Sequence, residues 1–167
     1  MRSQTVRSKN LFCKLRPVMI TLNQSTNPKV ADMPEISIVN PQSMGRPLSL
    51  YGQIARVRAS EFVFISGQLA TDLDGSIVGK RDFDAQMKQV FSNIEKGLKS
   101  VEASFANVVQ FTTYLVHSQD IASFRRVREE LFPTMFPTHR YPPNTLLVVD
   151  RLVQEDFLIE IETIAAL

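Results

Sequence analysis

The chain has 167 residues, 44% of them hydrophobic and 22% charged, values of an ordinary globular protein that exclude a fibrous repeat and a chain disordered throughout. That length fits one domain, with or without a tail. The formal charge of +2 is unevenly spread: Arg2, Arg7, Lys9, Lys14, Arg16 and Lys29 stand against Asp32 alone in residues 1–34, so the remainder is net acidic and offers no charge-based argument for nucleic acid or a membrane surface.

Residues 1–34 show no sustained period of 2 or 3.6 and include the polar stretch Asn23-Gln24-Ser25-Thr26-Asn27-Pro28, so a basic, disordered arm is predicted. Three readings of it stand open. Its Arg/Ser-rich, acid-poor character is that of a transit peptide; Met33 immediately before a strand-like opening fits an over-long start; and a functional basic arm is the third. The sole cysteine, Cys13, lies there, which leaves no disulfide within the chain and no multi-cysteine metal site. No apolar run approaches the ~18 residues that span a bilayer. The expectation is a soluble protein of a reducing compartment, cytoplasmic, or mitochondrial if the arm is a transit peptide.

A single domain is expected over residues 35–167. Ile36 and Ile38 alternate with polar residues, and a loop from Pro41 to Pro47 follows. Gln53 to Arg58 alternates again, Glu61 to Ser66 is rich in aromatic and β-branched residues, and proximity predicts that these two segments pair as a hairpin. Asp72 to Gly79 is turn-rich around Asp74-Gly75. Phe83, Met87, Val90, Phe91, Ile94, Leu98 and Val101 mark one stripe of a helix from about Asp82 to Glu102, with Asp82 and Asp84 at its positive end. Val108 to Val116 reads as a strand. Phe124, Val127 and Leu131 mark a shorter helix with Asp120 as N-cap, closed by Pro133 and Pro137; its arginines, Arg125, Arg126 and Arg128, read as a solvated face. Thr145 to Val149 and Phe157 to Ala165 are the last strands.

Strands joined by two helices predict an α+β fold, a mixed sheet with both helices on one face. Phe64, Leu147 and Ile161 cannot all face water on the other, so self-association is expected to cover it.

Several catalytic templates are missing: there is no GxGxxG, Walker loop, CxxC or His pair at metal spacing. His117 and His139 are far apart and read as loop or surface residues, so no metal is expected. Glu160 and Glu162, at i and i+2, point to one side of the last strand. Spacing alone fits a solvated face equally well. Among Ile159, Ile161 and Ile164, however, partial burial would raise a carboxyl pKa toward values useful for acid/base work.

In order and spacing, Phe64-Ile65-Ser66-Gly67-Gln68, then Gln86 and Asn93 on the long helix, then Val108 to Tyr114, then Ile159 to Ala165 resemble the Rid/YjgF family, over about Ile36 to Ala166. The resemblance implies a chorismate-mutase-like domain assembled as a homotrimer, with clefts for small metabolites between subunits. It also implies cofactor-free hydrolysis of reactive imines and enamines to 2-oxo acids and ammonia. By the same resemblance Glu160 positions the attacking water, Gly67, with Ser66, and Tyr51 complete the pocket, and an arginine at the start of the penultimate strand clamps the substrate carboxylate.

Here the clamp position is Asn144. A neutral amide replaces a planar fork of charge-assisted bonds, which lowers carboxylate affinity about tenfold to a hundredfold and predicts a non-standard substrate. Arg140, across Pro142-Pro143, is the candidate replacement cation. The alternative to a hydrolase is a trimeric protein that binds a metabolite in the same cleft without turnover. Nucleic acid is not an expected partner, because no basic stripe is interleaved with aromatics.

Overall fold

The computed structural model describes residues 33–167, so the three readings of the arm fall on residues outside those described, apart from Met33 and Pro34. The elements follow the predicted order: β1 (Glu35–Val39), β2 (Ile54–Arg58), β3 (Phe62–Gln68), α1 (Phe83–Ser100), β4 (Val108–Leu115), α2 (Asp120–Met135), β5 (Asn144–Val148) and β6 (Ile159–Ala166).

Strand pairing departs from the expectation in one place. β2 pairs antiparallel with β1 in a separate two-stranded sheet, while β3 pairs with β6, so the predicted hairpin between β2 and β3 does not form. The match of half-buried faces accompanies the choice. Ile36 lies opposite Val57 and Ile38 opposite Ala55, so both strands turn their half-buried residues to one side and leave Arg56 and Arg58 in solvent. β3 instead sets Val63 and Ile65 beside Ala165 and Thr163 of β6, on the core side.

The main sheet has the order β3-β6-β4-β5, with β4 and β5 parallel and the other neighbours antiparallel. Its core side meets Met87, Val90, Ile94 and Leu98 of α1 and Phe124, Val127 and Phe132 of α2, all buried. Ile161 belongs to this core, not to the open side where it was expected; Phe62, Phe64, at 75% exposure, and Leu147 are exposed apolar residues there. Phe91, Phe111, Phe132 and Phe136 pack largely edge-on, with centroids 5.0 to 6.4 Å apart. Such pairs add ~1 kcal/mol each beyond the area they bury.

Asp82 caps α1, its carboxylate accepting the Ala85 N–H at 3.0 Å. The start of α2 differs from the prediction, since Asp120 is its first helical residue and Gln119 before it makes no side-chain cap. Pro133 sits inside the last turns of α2 and does not end it. Proline supplies no N–H for the Glu129 carbonyl, so one intrahelical bond is lost less than one turn before the helix ends.

Two amides of α1 tie the helix to the sheet ends. Gln86, fully buried, donates to the carbonyls of Gly79 (3.2 Å) and Asp156 (2.7 Å) and accepts the Leu158 N–H at 2.8 Å. Asn93 donates to the carbonyls of Leu69 (3.1 Å) and Thr71 (2.9 Å). One bracket holds the chain just before Glu160, and the other holds it just after Gly67-Gln68.

Candidate functional site

Glu160 lies opposite Tyr114 in the β4–β6 register, so its side chain stands on the side of the sheet away from the helices. β3 and β6 lose regular pairing between Ile65 and Gln68, and Gly67 falls in that irregularity, directly against the carboxylate. A Cβ on Gly67 would come within 2.6 Å of Glu160 Cδ and 2.9 Å of its Cγ. The lack of a side chain at 67 is what admits the carboxylate to this position.

The nearby hydroxyl donor is already committed, with Tyr114 O–H donating to Glu162 Oε2 at 3.0 Å. Among the described residues the Glu160 carboxylate takes part in no ion pair and accepts no hydrogen bond. Its partial burial, and next the charge of Glu162, push its carboxyl above the ordinary glutamate range. The bond to Glu162 likewise raises the Tyr114 phenol. A half-buried carboxylate with free lone pairs and a raised pKa is suited to accept a proton from water. Ser66, preceding Gly67, is exposed and lines a cavity of about 300 Å³ with Phe64, Gln110, Thr112 and Glu162, a cavity that Glu160 itself does not line.

The remaining predicted site residues gather elsewhere. Asn144 opens β5 opposite Phe111, on the helix-covered side, and its Oδ1 accepts the Thr113 Oγ1–H at 2.8 Å. Glu160 and Asn144 therefore lie on opposite sides of the sheet with β4 between their strands, and one chain does not bring them together. Tyr51 is half-buried, its hydroxyl oxygen accepting the Leu48 N–H at 3.3 Å. The next residue, Gly52, donates to the Tyr141 carbonyl at 3.1 Å, which ties this loop to the segment entering β5. Arg140 is exposed and donates to the Ile36 carbonyl at 3.4 Å, in a small cavity with Ile36, Ile38, Val108 and Phe136. It shares neither an ion pair nor a cavity with Glu160 among the described residues.

The three arginines of α2 do not form the single solvated face expected of them. Arg126 Nη2 lies 2.7 Å from both oxygens of Asp84, and its Nη1 lies 3.1 Å from Glu130. Arg128 is only 2% exposed, with its guanidinium 4.2 Å from the Phe124 ring centre and 5.1 Å from that of Phe132. Its Nε is sealed without a partner, and no carboxylate pairs with it among the described residues. Burial lowers its pKa to about 10, against the opposing influence of Tyr51 nearby. Arg128 stands four residues from both Phe124 and Phe132, so the helical period alone places it on the apolar stripe. Its charge masked that signal.

A family model described as Endoribonuclease L-PSP matches residues 44–167. A solved protein of the Rid family from Yersinia pestis matches with a TM-score of 0.72 at 28% identity, over 79% of this chain and 98% of that one. The chain belongs to the Rid/YjgF family. Its Rid/YjgF relatives include a RutC family protein of Pyrococcus abyssi, 33% identical over 120 residues, 72% of this chain and 88% of the relative. Another is the 3-aminoacrylate deaminase RutC of Acinetobacter baylyi, 30% identical over 128 residues, 77% of this chain and 95% of that one.

Proposed function

We propose that this Rid/YjgF protein hydrolyses a small imine or enamine without a cofactor, with Glu160 orienting and deprotonating the attacking water. The observation that carries this reading is the unpaired, half-buried Glu160 carboxylate seated against Gly67. The A. baylyi relative, a 3-aminoacrylate deaminase, supports the reaction class, since 3-aminoacrylate is itself an enamine.

An enamine first tautomerises to its imine. Glu160 takes a proton from water as the water oxygen bonds to the imine carbon, the C=N electrons move to nitrogen, and Glu160 returns that proton to the nitrogen. Glu160 then carries the hydroxyl proton of the carbinolamine to the same nitrogen, the C–N bond breaks as the C=O bond forms, and ammonia and a carbonyl compound leave. Ser66 and the Gly67 backbone contact the polar end of the substrate. Exposed Phe64 and Leu147 favour the open side of the sheet, which also carries Glu160, as the surface on which further copies of the chain pack in a homotrimer.

Binding without turnover is the second reading, and the engagement of the Asn144 amide oxygen by Thr113 favours it, because that side chain is then already committed within its own chain. The ribonuclease activity in the family description is not adopted. Arg126 is neutralised by Asp84 and Glu130 and Arg128 is sealed, which leaves Arg125 alone as a free cation among the three.

The test follows imines generated in a coupled amino-acid oxidase or threonine dehydratase reaction, with the wild type, Glu160→Ala and Asn144→Arg. Decay faster than in buffer for the wild type, lost in Glu160→Ala, is the expected result. Buffer rates for all three proteins, across amino-acid-derived and uncharged imines, would sink the proposal.

A further inference from the structure

Tyr114 and Glu160 stand opposite each other in the β4–β6 pair, and residues directly opposite are the nearest neighbours on a sheet face. The Tyr114 hydroxyl nevertheless passes over Glu160 and reaches the diagonal residue, donating to Glu162 Oε2 at 3.0 Å. Glu160 and Glu162, two apart on one strand, share a side of the sheet with their Cα atoms roughly 7 Å apart. One carboxylate of the pair is therefore held by an O–H donor, and the other accepts none.

Few other charges surround the pair. β3, β4, β5 and β6 contain no lysine, arginine, histidine or aspartate, so Tyr114 and Glu162 are the titratable groups these strands turn toward Glu160. His117, beyond the end of β4, acts on Asp120 instead. Burial first and the Glu162 charge second hold the Glu160 carboxyl above the ordinary range, and no cation among the described residues offsets them. The bond to Glu162 raises the Tyr114 phenol, which therefore keeps its proton and remains a donor while the carboxyls titrate. A carboxylate that already accepts an O–H has fewer lone pairs to offer, so two residues of one type on one strand become chemically unequal.

We infer that Tyr114 and Glu162 are positioning residues for Glu160: the phenol pins Glu162 as a fixed negative charge beside the base, and the proton drawn from water goes to the carboxylate whose lone pairs are free. The assignment deepens the imine-hydrolase reading. It rests on that reading for the role of Glu160 as base, and not for the electrostatic link among the three side chains. A contact that merely held β4 to β6 would leave the titration of Glu160 where it is.

The experiment follows the Glu160 titration directly, by carbon-detected NMR of the full chain labelled at the glutamate side-chain carboxyl, with Glu160→Gln identifying the signal. Rates of imine hydrolysis are taken over the same pH range. The variants are Glu162→Gln, Glu162→Lys, Tyr114→Phe and the double variant Tyr114→Phe with Glu162→Gln. At pH 4 the ionised fraction of Glu160 should rise about twofold to threefold in Glu162→Gln, the effect of removing one charge roughly 7 Å away that acts partly through water. The rise should be larger in Glu162→Lys. Tyr114→Phe, which frees the exposed Glu162 to turn into solvent, should give a smaller rise in the same direction, and none when added to Glu162→Gln. The acid limb of the rate profile should move with the NMR titration. A Glu160 titration unmoved by Glu162→Gln, an order among the three residues at position 162 that does not follow their charge, or a Tyr114→Phe effect of equal size with and without Glu162 would each overturn the assignment. Should Tyr114→Phe or Glu162→Lys fail to fold, Glu162→Gln decides: a titration that stays at its wild-type position overturns the proposal. Imine turnover with a Glu160 titration indifferent to position 162 refutes this inference and leaves the hydrolase standing. A titration that moves as stated, with no turnover in the wild type, does the reverse.

Discussion

The Glu160 region and the Arg128 region solve the same problem in opposite ways. Each keeps one ionisable group unpaired in a partly or wholly dry setting, at a cost to stability that a purely structural residue would not be expected to carry. Glu160 does so by having little around it: a glycine beneath, and a neighbouring tyrosine that donates elsewhere. Arg128 does so by enclosure, between two phenyl rings. The carboxylate stands on the open side of the sheet and the cation within the helix layer, on the apolar stripe of α2.

The contrast is broken most severely at Gly67. Gly67→Ala places a methyl group against Glu160 Cδ, so the carboxylate must leave its seat, and imine hydrolysis should fall on the order of a hundredfold. Steady-state kinetics on the purified variant checks this. Gln86→Leu is next, a near-isosteric change that orphans the Leu158 N–H and the carbonyls of Gly79 and Asp156; denaturant unfolding should show a loss of about 3 kcal/mol.

Arg128→Met probes the enclosed side, with a smaller effect of opposite sign. A base whose pKa is lowered on folding is more readily protonated in the unfolded chain, so its charge costs stability at every pH below about 10, and the cost diminishes as pH rises beyond that. With the lost aromatic stacking as an offset, the ligand-free variant should be about 1 kcal/mol more stable than wild type at pH 7. A loss of stability would mark Arg128 as a structural residue. Glu160→Gln should give the smallest change. A carboxyl whose pKa is raised on folding favours the folded state while it is protonated, and that contribution is lost as pH rises through the raised value. The variant should therefore gain slightly on wild type at neutral pH and gain nothing below the ordinary value of 4.5, a difference that thermal melts at pH 4 and pH 7 resolve.

Much of the fold was legible because its periods are long or its alternation is clean. The stripe from Phe83 to Leu98 placed α1 almost to its ends, and Glu160 stood out as a carboxylate among isoleucines. The pairing of β2 was not legible, since both β1 and β3 offer alternating partners and only the three-dimensional match of half-buried faces chooses between them. The side taken by Asn144 was hidden too. Thr145-Leu146-Leu147-Val148-Val149 has no alternation to set a phase, so whether its first residue faces helix or solvent depends on register with β4. Arg128 was readable in principle, at helical spacing from two phenylalanines, but a run of three nearby arginines has the composition of a solvated surface.

The brackets made by Gln86 and Asn93 are built from neutral amides, and neither side chain titrates. The frame that holds Gly67 and Glu160 is therefore indifferent to acidity over the whole interval in which the carboxylate changes state. A pH–rate profile of this protein would accordingly trace the protonation of one side chain, free of any loosening of the scaffold that carries it.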